Sequence, residues 1–422
     1  MPSTTPGEKH VFTRYQAFVI ALLSLLQFSI VLDFMVLSPL GAIVMPELHI
    51  TTVQFGWVVS AYAFSAGASG ILAAGFADKF DRKKFLLFFY FGFLIGTVLC
   101  AMAPDYMFLL LARIVTGLFG GVIGAVSFAI ITDLFRFEIR GRVMGFVQMS
   151  FAASQVLGLP IGLVLANRFD WHAPFWMIAI VGVAVAAAIA IYMKPVEGHL
   201  KLKSTRNPLE HLIRTFSYPD YVKVFICTTL LATGGFMLMP FGSAFSTNNL
   251  GLTMEQLPWV YGITGLCSIV LGPQIGKVSD RVGKYKTFVV GTLVSMVMVA
   301  IYTQLGVTPL WICIALNVAL FAGISARMIS SSALVSAIPA AQDRGAFMSI
   351  NSSVQQVAGG IASMIAGLIV LQGSDGFLHR YEILGYVVIG TMLVTIALMF
   401  WINQHVMGMP RPQKTDLAPE SV

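Results

Sequence analysis

The sequence predicts an all-α membrane protein of twelve transmembrane helices, arranged as two pseudo-symmetric six-helix bundles. Three observations carry that expectation. Of 422 residues, 57% are hydrophobic and only 11% are charged, whereas a soluble domain carries about 25% charged residues; mean hydropathy is +0.83. Apolar runs of about 20 residues, the length that crosses a hydrocarbon core, recur along the chain. The second half of the chain repeats features of the first. Together these exclude a disordered chain, a coiled coil and a soluble enzyme.

The runs fall at residues 15–45, 53–76, 85–103, 106–133, 143–166, 174–193, 220–246, 255–276, 287–305, 308–338, 345–371 and 381–403. The first follows a polar 1–14 tail holding Lys9 and Arg14. It is longer than the apolar segment of a cleavable signal and lacks a clear small-residue cleavage site, so it reads as a membrane helix. The next five complete a bundle over 15–193. Residues 194–219 form the longest polar stretch, a linker whose part from Pro208 to Phe216 reads as an interfacial helix. The last six spans make a second bundle over 220–403, followed by a 404–422 tail. The runs are continuous and show no period-2 alternation, which dismisses a membrane β-barrel.

Basic residues set the expected orientation. With the N-terminus in the cytoplasm, 22 of the 26 Lys and Arg fall on the cytoplasmic side, which places both termini inside, in a bacterial inner membrane. Only Arg168 and Arg380 fall outside. This distribution makes the net charge of +7 a topology signal and a contact for anionic lipid headgroups rather than a nucleic-acid footprint. Cys100, Cys227, Cys267 and Cys313 all lie in apolar runs, without metal-ligand spacing or a disulfide framework. No Ser-His-Asp set or phosphate-binding loop is evident. The expectation is therefore no enzyme, no metal and no cofactor, with an ion gradient as energy source.

Almost every acidic residue sits at a span boundary, in a tail or in the linker. Asp33 is the exception, near the middle of span 1. A carboxylate at that depth costs about 2.5 kcal/mol or more on insertion scales, so it reads either as a proton or cation site or as a fixed ion pair between helices. No histidine lies in a predicted span, which leaves Asp33 as the strong proton carrier. Arg113 in span 4 either pairs with Asp33 or snorkels to headgroups. Arg327 in span 10 stands among Ser325, Ser330, Ser331 and Ser332 without an acidic partner in its half. It reads as an anion-binding or gating residue, or as a cap on backbone carbonyls. Gln148, Gln155, Asn351, Gln355 and Gln356 supply uncharged hydrogen-bonding groups for a midplane cavity, and Phe34, Tyr62 and Phe236 supply apolar walls.

The internal repeat pairs AAGFADKFDRKKF after span 2 with IGKVSDRVGKYKTF after span 8, an offset of 202 residues; RGRVMGF at 140–146 echoes RGAFMSI at 344–350. Such duplication builds carriers from two bundles. These loops resemble the signature G-x-x-x-D-R-x-G-R-[RK] of the major facilitator superfamily. Asp78, Arg82 and Lys83 match it in the first half, with Lys79 and Asp81 as departures. Gly276, Asp280, Arg281, Gly283 and Lys284 match in the second. Arg113 with Gly117 and Gly121 is similar to the helix-4 pattern. Gly158, Pro160 and Gly162 form an abbreviated helix-5 exporter motif. Within the superfamily, the twelve-helix drug:proton antiporter-like exporters look closest.

The resemblance implies that Arg82 bridges Asp78 and Asp133 in a cytoplasmic gate, with Asp280, Arg281 and Lys284 as a weaker counterpart. It also implies a proton-coupled exporter of small amphipathic or cationic compounds, acting by alternating access as a monomer through Asp33 and Arg113. A carrier of a sugar, amino acid or organic anion is the alternative within the fold. A non-transporting receptor or lipid-handling protein is the alternative outside it.

Overall fold

The computed structural model describes residues 12–74, 80–135, 137–197, 215–339, 344–373 and 376–408. Among them are twelve helices long and apolar enough to cross a membrane. We number them α1 Arg14–Glu47, α2 Thr52–Ala74, α3 Arg82–Ala101, α4 Tyr106–Leu134, α5 Phe137–Ala153 continuing to Arg168, and α6 Ala173–Tyr192. The second half holds α7 Pro219–Leu238 continuing to Asn248, α8 Leu257–Val282, α9 Lys284–Tyr302, α10 Leu310–Val335, α11 Arg344–Ile369 and α12 Tyr381–Gly408. Between α11 and α12, β1 Leu371–Gln372 pairs antiparallel with β2 Leu378–His379. Asn249, just past the end of α7, holds this hairpin. Its side chain both accepts from the Leu378 amide and donates to the Leu378 carbonyl, each at 3.0 Å.

Local chemistry explains the helix ends. Thr13 and Gln16 close a capping box on α1, and Asp105 caps α4 through the Phe108 amide, each satisfying orphan N–H groups. Three departures from the predicted spans stand out. α5 is interrupted by a π-helical turn over Ser154–Gly158. α7 passes through a 3-10 turn at Met239–Phe241, where Pro240 has no N–H to continue the ladder. α8 runs on to Val282, so Gly276, Asp280 and Arg281, expected in a loop, are helical. Gly283 is the whole connection between α8 and α9, at φ +110°, a conformation glycine adopts without steric cost.

Twelve crossings return the chain to the end where it began, here termed the basic end. At the opposite end one apolar core is shared by both halves: Val36, Leu40, Phe55 and Leu163 pack in the same cluster as Met237, Phe241, Val260 and Leu384. At the basic end the core divides. Leu23, Leu86, Phe93 and Ile130 belong to a first-half cluster, and Val224, Phe288, Phe347 and Met399 to a second-half cluster. Cross-half hydrogen bonds reinforce the closure. Thr52 Oγ1 donates to Val370 O at 2.7 Å and Ser60 Oγ to Gly360 O at 2.7 Å. Ser243 Oγ donates to Ser38 O at 3.1 Å, and Asn167 Nδ2 to Met254 O at 2.9 Å. Large apolar side chains such as Phe88, Ile95, Leu111, Ile180, Val290 and Leu393 remain exposed. On helices this hydrophobic, that outer surface is suited to lipid.

Candidate functional site

Helix periodicity aims Arg113 inward. Ala112, Arg113, Thr116, Gly117 and Gly120 are the buried positions of this part of α4, a spacing that marks one helix face. Arg113 and Asp33 have no exposed surface. Arg113 Nη1 donates to Asp33 Oδ2 at 2.8 Å and to the Asp33 carbonyl at 3.3 Å. Thr97 of α3 donates to the other carboxylate oxygen at 3.2 Å. The guanidinium carbon lies 4.5 Å from the centroid of the Tyr62 ring on α2, within range of a cation–π attraction. Four helices of one bundle thus converge on one ion pair. Snorkelling, the alternative for Arg113, is ruled out by this burial.

Approach of the helices depends on glycine. A Cβ built at Gly117 would meet Tyr62 O at 2.3 Å, and one at Gly121 would meet Ala66 O at 2.3 Å. Backbone-to-backbone contact of that kind brings α4 close enough to α2 for the Tyr62 ring to cover Arg113. Tyr62 is consequently not a cavity wall as the sequence suggested. It is 2% exposed and belongs to the ion-pair cluster.

The cluster reaches the seam between the halves through aromatic contacts. Phe34, adjacent to Asp33, lies 5.3 Å from the Tyr62 centroid and 5.7 Å from that of Phe236 on α7. Phe34 and Phe236 are half-buried. Half-buried residues on α1 continue one stripe from Phe34: Ser24, Gln27, Phe28 and Val31. Gln27 was missed from sequence. Its spacing of seven residues from Phe34 is the signal that it shares this face. Gln155, Gln355, Gln356 and Asn351 are also half-buried, and Asn351 accepts from Thr228 Oγ1 at 2.7 Å, tying α11 to α7. Gln148 lies on α5, with its side chain outside the described residues.

The α5 motif is sandwiched between the Asp33 helix and the other half. Cβ atoms built at Gly158 and Gly162 would meet Leu32 at 2.6 Å and Val36 at 3.1 Å, one residue before and three after Asp33 on α1. Pro160 and Val156 instead face Gly262 and Gly265 of α8. The motif residues therefore serve different contacts: the glycines admit α1, and the proline meets the second bundle.

At the basic end, Arg82 Nε donates to Asp133 Oδ2 at 3.2 Å, as the resemblance implied. Asp78 lies outside the described residues. Lys83 Nζ donates at 2.8 Å to the carbonyl of Ala190 near the end of α6. Asp81, which replaces the motif's second glycine, caps α3: its Oδ1 accepts from the amides of Lys83 at 2.9 Å and Val196 at 3.0 Å. In the second half, Lys284 and Asp280 form an exposed pair at 2.8 Å, of the kind that contributes little to stability.

Arg327 lies within the second bundle. It is 4% exposed, with its guanidinium carbon 5.9 Å from the Phe288 centroid on α9. Its Nε and Nη2 have no hydrogen-bond partner, so it is not the cap on carbonyls that the sequence left open for those two groups.

Two six-helix bundles, joined at one membrane face and separately cored at the other, with an ion pair buried beside their seam, define a membrane carrier. The comparisons agree with that class. A family model described as Major Facilitator Superfamily matches residues 23–220 and again 224–421, and the chain belongs to that superfamily. It is 31% identical over 281 residues to the MFS-type transporter YceJ of Bacillus subtilis, covering 66% of this chain and 70% of YceJ. It is 33% identical over 150 residues to Multidrug resistance protein 3 of the same organism, covering 36% of this chain and 29% of that protein. Its fold is similar to a bacterial homologue of the human lysosomal transporter Spinster, with TM-score 0.72 at 15% identity over 93% of this chain and 98% of that one. The protein is an integral multi-pass membrane transporter of a small-molecule substrate, and its relatives and fold are those of transporters, not enzymes.

Proposed function

We propose that this transporter is a proton-coupled exporter of small amphipathic compounds, with its basic end in the cytoplasm. The Asp33–Arg113 pair carries the proposal, because it holds the carboxylate that is fully buried in the spans among the described residues and touches the seam through Phe34. In the structure the pair is closed and the halves are joined at the opposite end, which suits a proton-free carrier open toward the basic end. Substrate would enter there and leave after the halves rock about the α2–α11 and α5–α8 contacts. A proton arriving on Asp33 from the outer side would neutralise the carboxylate and break its charge pairing with Arg113. Tyr62 and the Asp33 carbonyl would keep the guanidinium in place. Movement of α1 against the α5 glycines and of Phe34 against Phe236 would then return the carrier. The equilibrium shifts only by the difference in these contacts between the two states.

The pair is internally neutral, so it offers no unpaired carboxylate to a cation; this supports amphipathic over simply cationic substrates. The excess of basic residues at one end supports a cytoplasmic location for the termini, in a bacterial inner membrane. One chain contains both bundles, which supports a functional monomer driven by the proton gradient. The test is substrate-driven proton movement in proteoliposomes, with Asp33→Asn expected to abolish it. Unchanged coupling in that variant would sink the proposal.

A further inference from the structure

Each bundle holds one interior arginine, and the two are treated differently. Arg113 has a carboxylate supplied by its own bundle, a hydroxyl behind that carboxylate and an aromatic ring over its face. Arg327 is buried almost as deeply. Among the described residues no carboxylate lies within ion-pair distance of it, and two of its guanidinium nitrogens have no acceptor. The ring of Phe288 offsets part of the charge. A buried charge left in this way is costly and calls for a counter-ion.

Beside it the helix wall is a glycine. A Cβ built at Gly234 of α7 meets nothing closer than Thr391 Oγ1 and Val388 Cγ1 at 3.8 Å and Arg327 Nη1 at 3.9 Å. The adjoining Gly235 is exposed and has no atom within 4 Å of the equivalent point. At Gly234, which is buried, no side chain is interposed between the helix backbone and Arg327 Nη1, and a Cβ there would make only ordinary contacts; Gly235, one position on, lies on the exposed side of the helix. Thr391 adds a hydroxyl at the same point, and Val388 borders it with apolar surface.

We propose that Arg327, with Gly234 and Thr391 beside it, is a seat for a small monovalent anionic group. A carboxylate on the transported amphiphile fits it, as does a free halide; both offer acceptors to a guanidinium presented by an apolar wall. The site itself stands without the export reading, whereas assigning its anion to a transported compound rests on that reading.

The experiment measures thermal stabilisation of the full chain in detergent by three ligands sharing a phenylbutyl body: the carboxylate, the neutral amide and the ammonium. A second arm titrates sodium chloride against sodium methanesulfonate at constant ionic strength. The carboxylate or the chloride stabilises the wild-type protein, and the amide and ammonium do not. The apparent affinity for the stabilising anion falls about tenfold or more in Arg327→Gln, whereas Arg327→Lys retains part of it. Gly234→Ala keeps the charge but puts a methyl beside Arg327 Nη1, and it weakens the same response; its Cβ meets nothing closer than 3.8 Å, so the fold is retained. A carboxylate response marks the head group of a transported compound, and a chloride response alone marks a bound ion; either supports the site. Equal anion stabilisation of wild type and Arg327→Gln, or no anion response in wild type, overturns it. Proton flux that depends on Asp33 but persists in Arg327→Gln isolates this result from the export reading.

Discussion

The Asp33–Arg113 pair admits a quantitative test by a double-mutant cycle. Replacing Asp33 with Asn removes the negative charge at 2.8 Å from Arg113 Nη1 and leaves a guanidinium with no exposed surface. Replacing Arg113 with Gln leaves a carboxylate equally buried, held chiefly by Thr97 at 3.2 Å. Breaking a buried pair from one side typically costs about 3–5 kcal/mol, because the remaining charge is uncompensated. Asp33→Asn lies at the lower end of that range, since Tyr62 keeps an attraction to the guanidinium of about 2 kcal/mol in a desolvated site. Arg113→Gln lies at the upper end. The double variant removes both charges and recovers most of the loss, giving a coupling energy of about 3 kcal/mol or more. The assay is reversible unfolding in mixed detergent–denaturant micelles, followed by tryptophan fluorescence, with proton flux measured on the same four proteins. The double variant is folded yet uncoupled. Additive losses, with the double variant as unstable as the sum of the singles, refute a direct pairing and with it the coupling role.

Other outcomes follow from the same geometry. Arg82→Ala removes the contact to Asp133 and slows transport about tenfold, by losing a charge-assisted bond that favours one state; substrate affinity measured by equilibrium binding stays within about twofold, and a collapse of affinity would contradict a gate. Thr52→Val with Ser60→Ala deletes two hydroxyls that donate across the halves, each hydrogen bond worth about 1 kcal/mol. A cysteine introduced at the fully buried Ala244, in a chain carrying Cys267→Ser, then reacts about tenfold or more faster with a membrane-impermeant thiol reagent. Gly121→Leu places a side chain against the Ala66 backbone and yields no monodisperse protein on size exclusion. Gly124→Leu is tolerated, because its nearest atom is Gln27 Oε1 at 4.0 Å.

The spans and the site differ in how far sequence alone exposes them. Crossing a bilayer requires a run of apolar residues of fixed length, a property of neighbouring positions, and all twelve runs are visible as such. Their ends are less so. The extension of α8 past Gly276 depends on the helix tolerating Lys277, Asp280 and Arg281 where the bilayer ends, and the breaks at Ser154–Gly158 and Met239–Phe241 reflect packing as much as local preference. Asp33, Arg113 and Arg327 stand out because charge inside hydrocarbon is costly. Gln27 and Thr97 do not, because neutral polar residues are common in such helices, and Tyr62 looks like any other aromatic.

What the sequence by itself determined is the twelve-helix, two-bundle membrane architecture, the asymmetry of its basic ends and a short set of interior charges. Each follows from the cost of moving residues from water to hydrocarbon, summed along the chain. The tertiary structure decided their relations. Arg113 turned inward to Asp33 because glycines on α4 let α2 and α4 approach, Tyr62 became a lid on that pair, and Arg327 was left buried in the second bundle with two guanidinium nitrogens unpartnered. Those outcomes depend on the rotation and approach of helices far apart in sequence, to which the hydropathy of any one segment is blind.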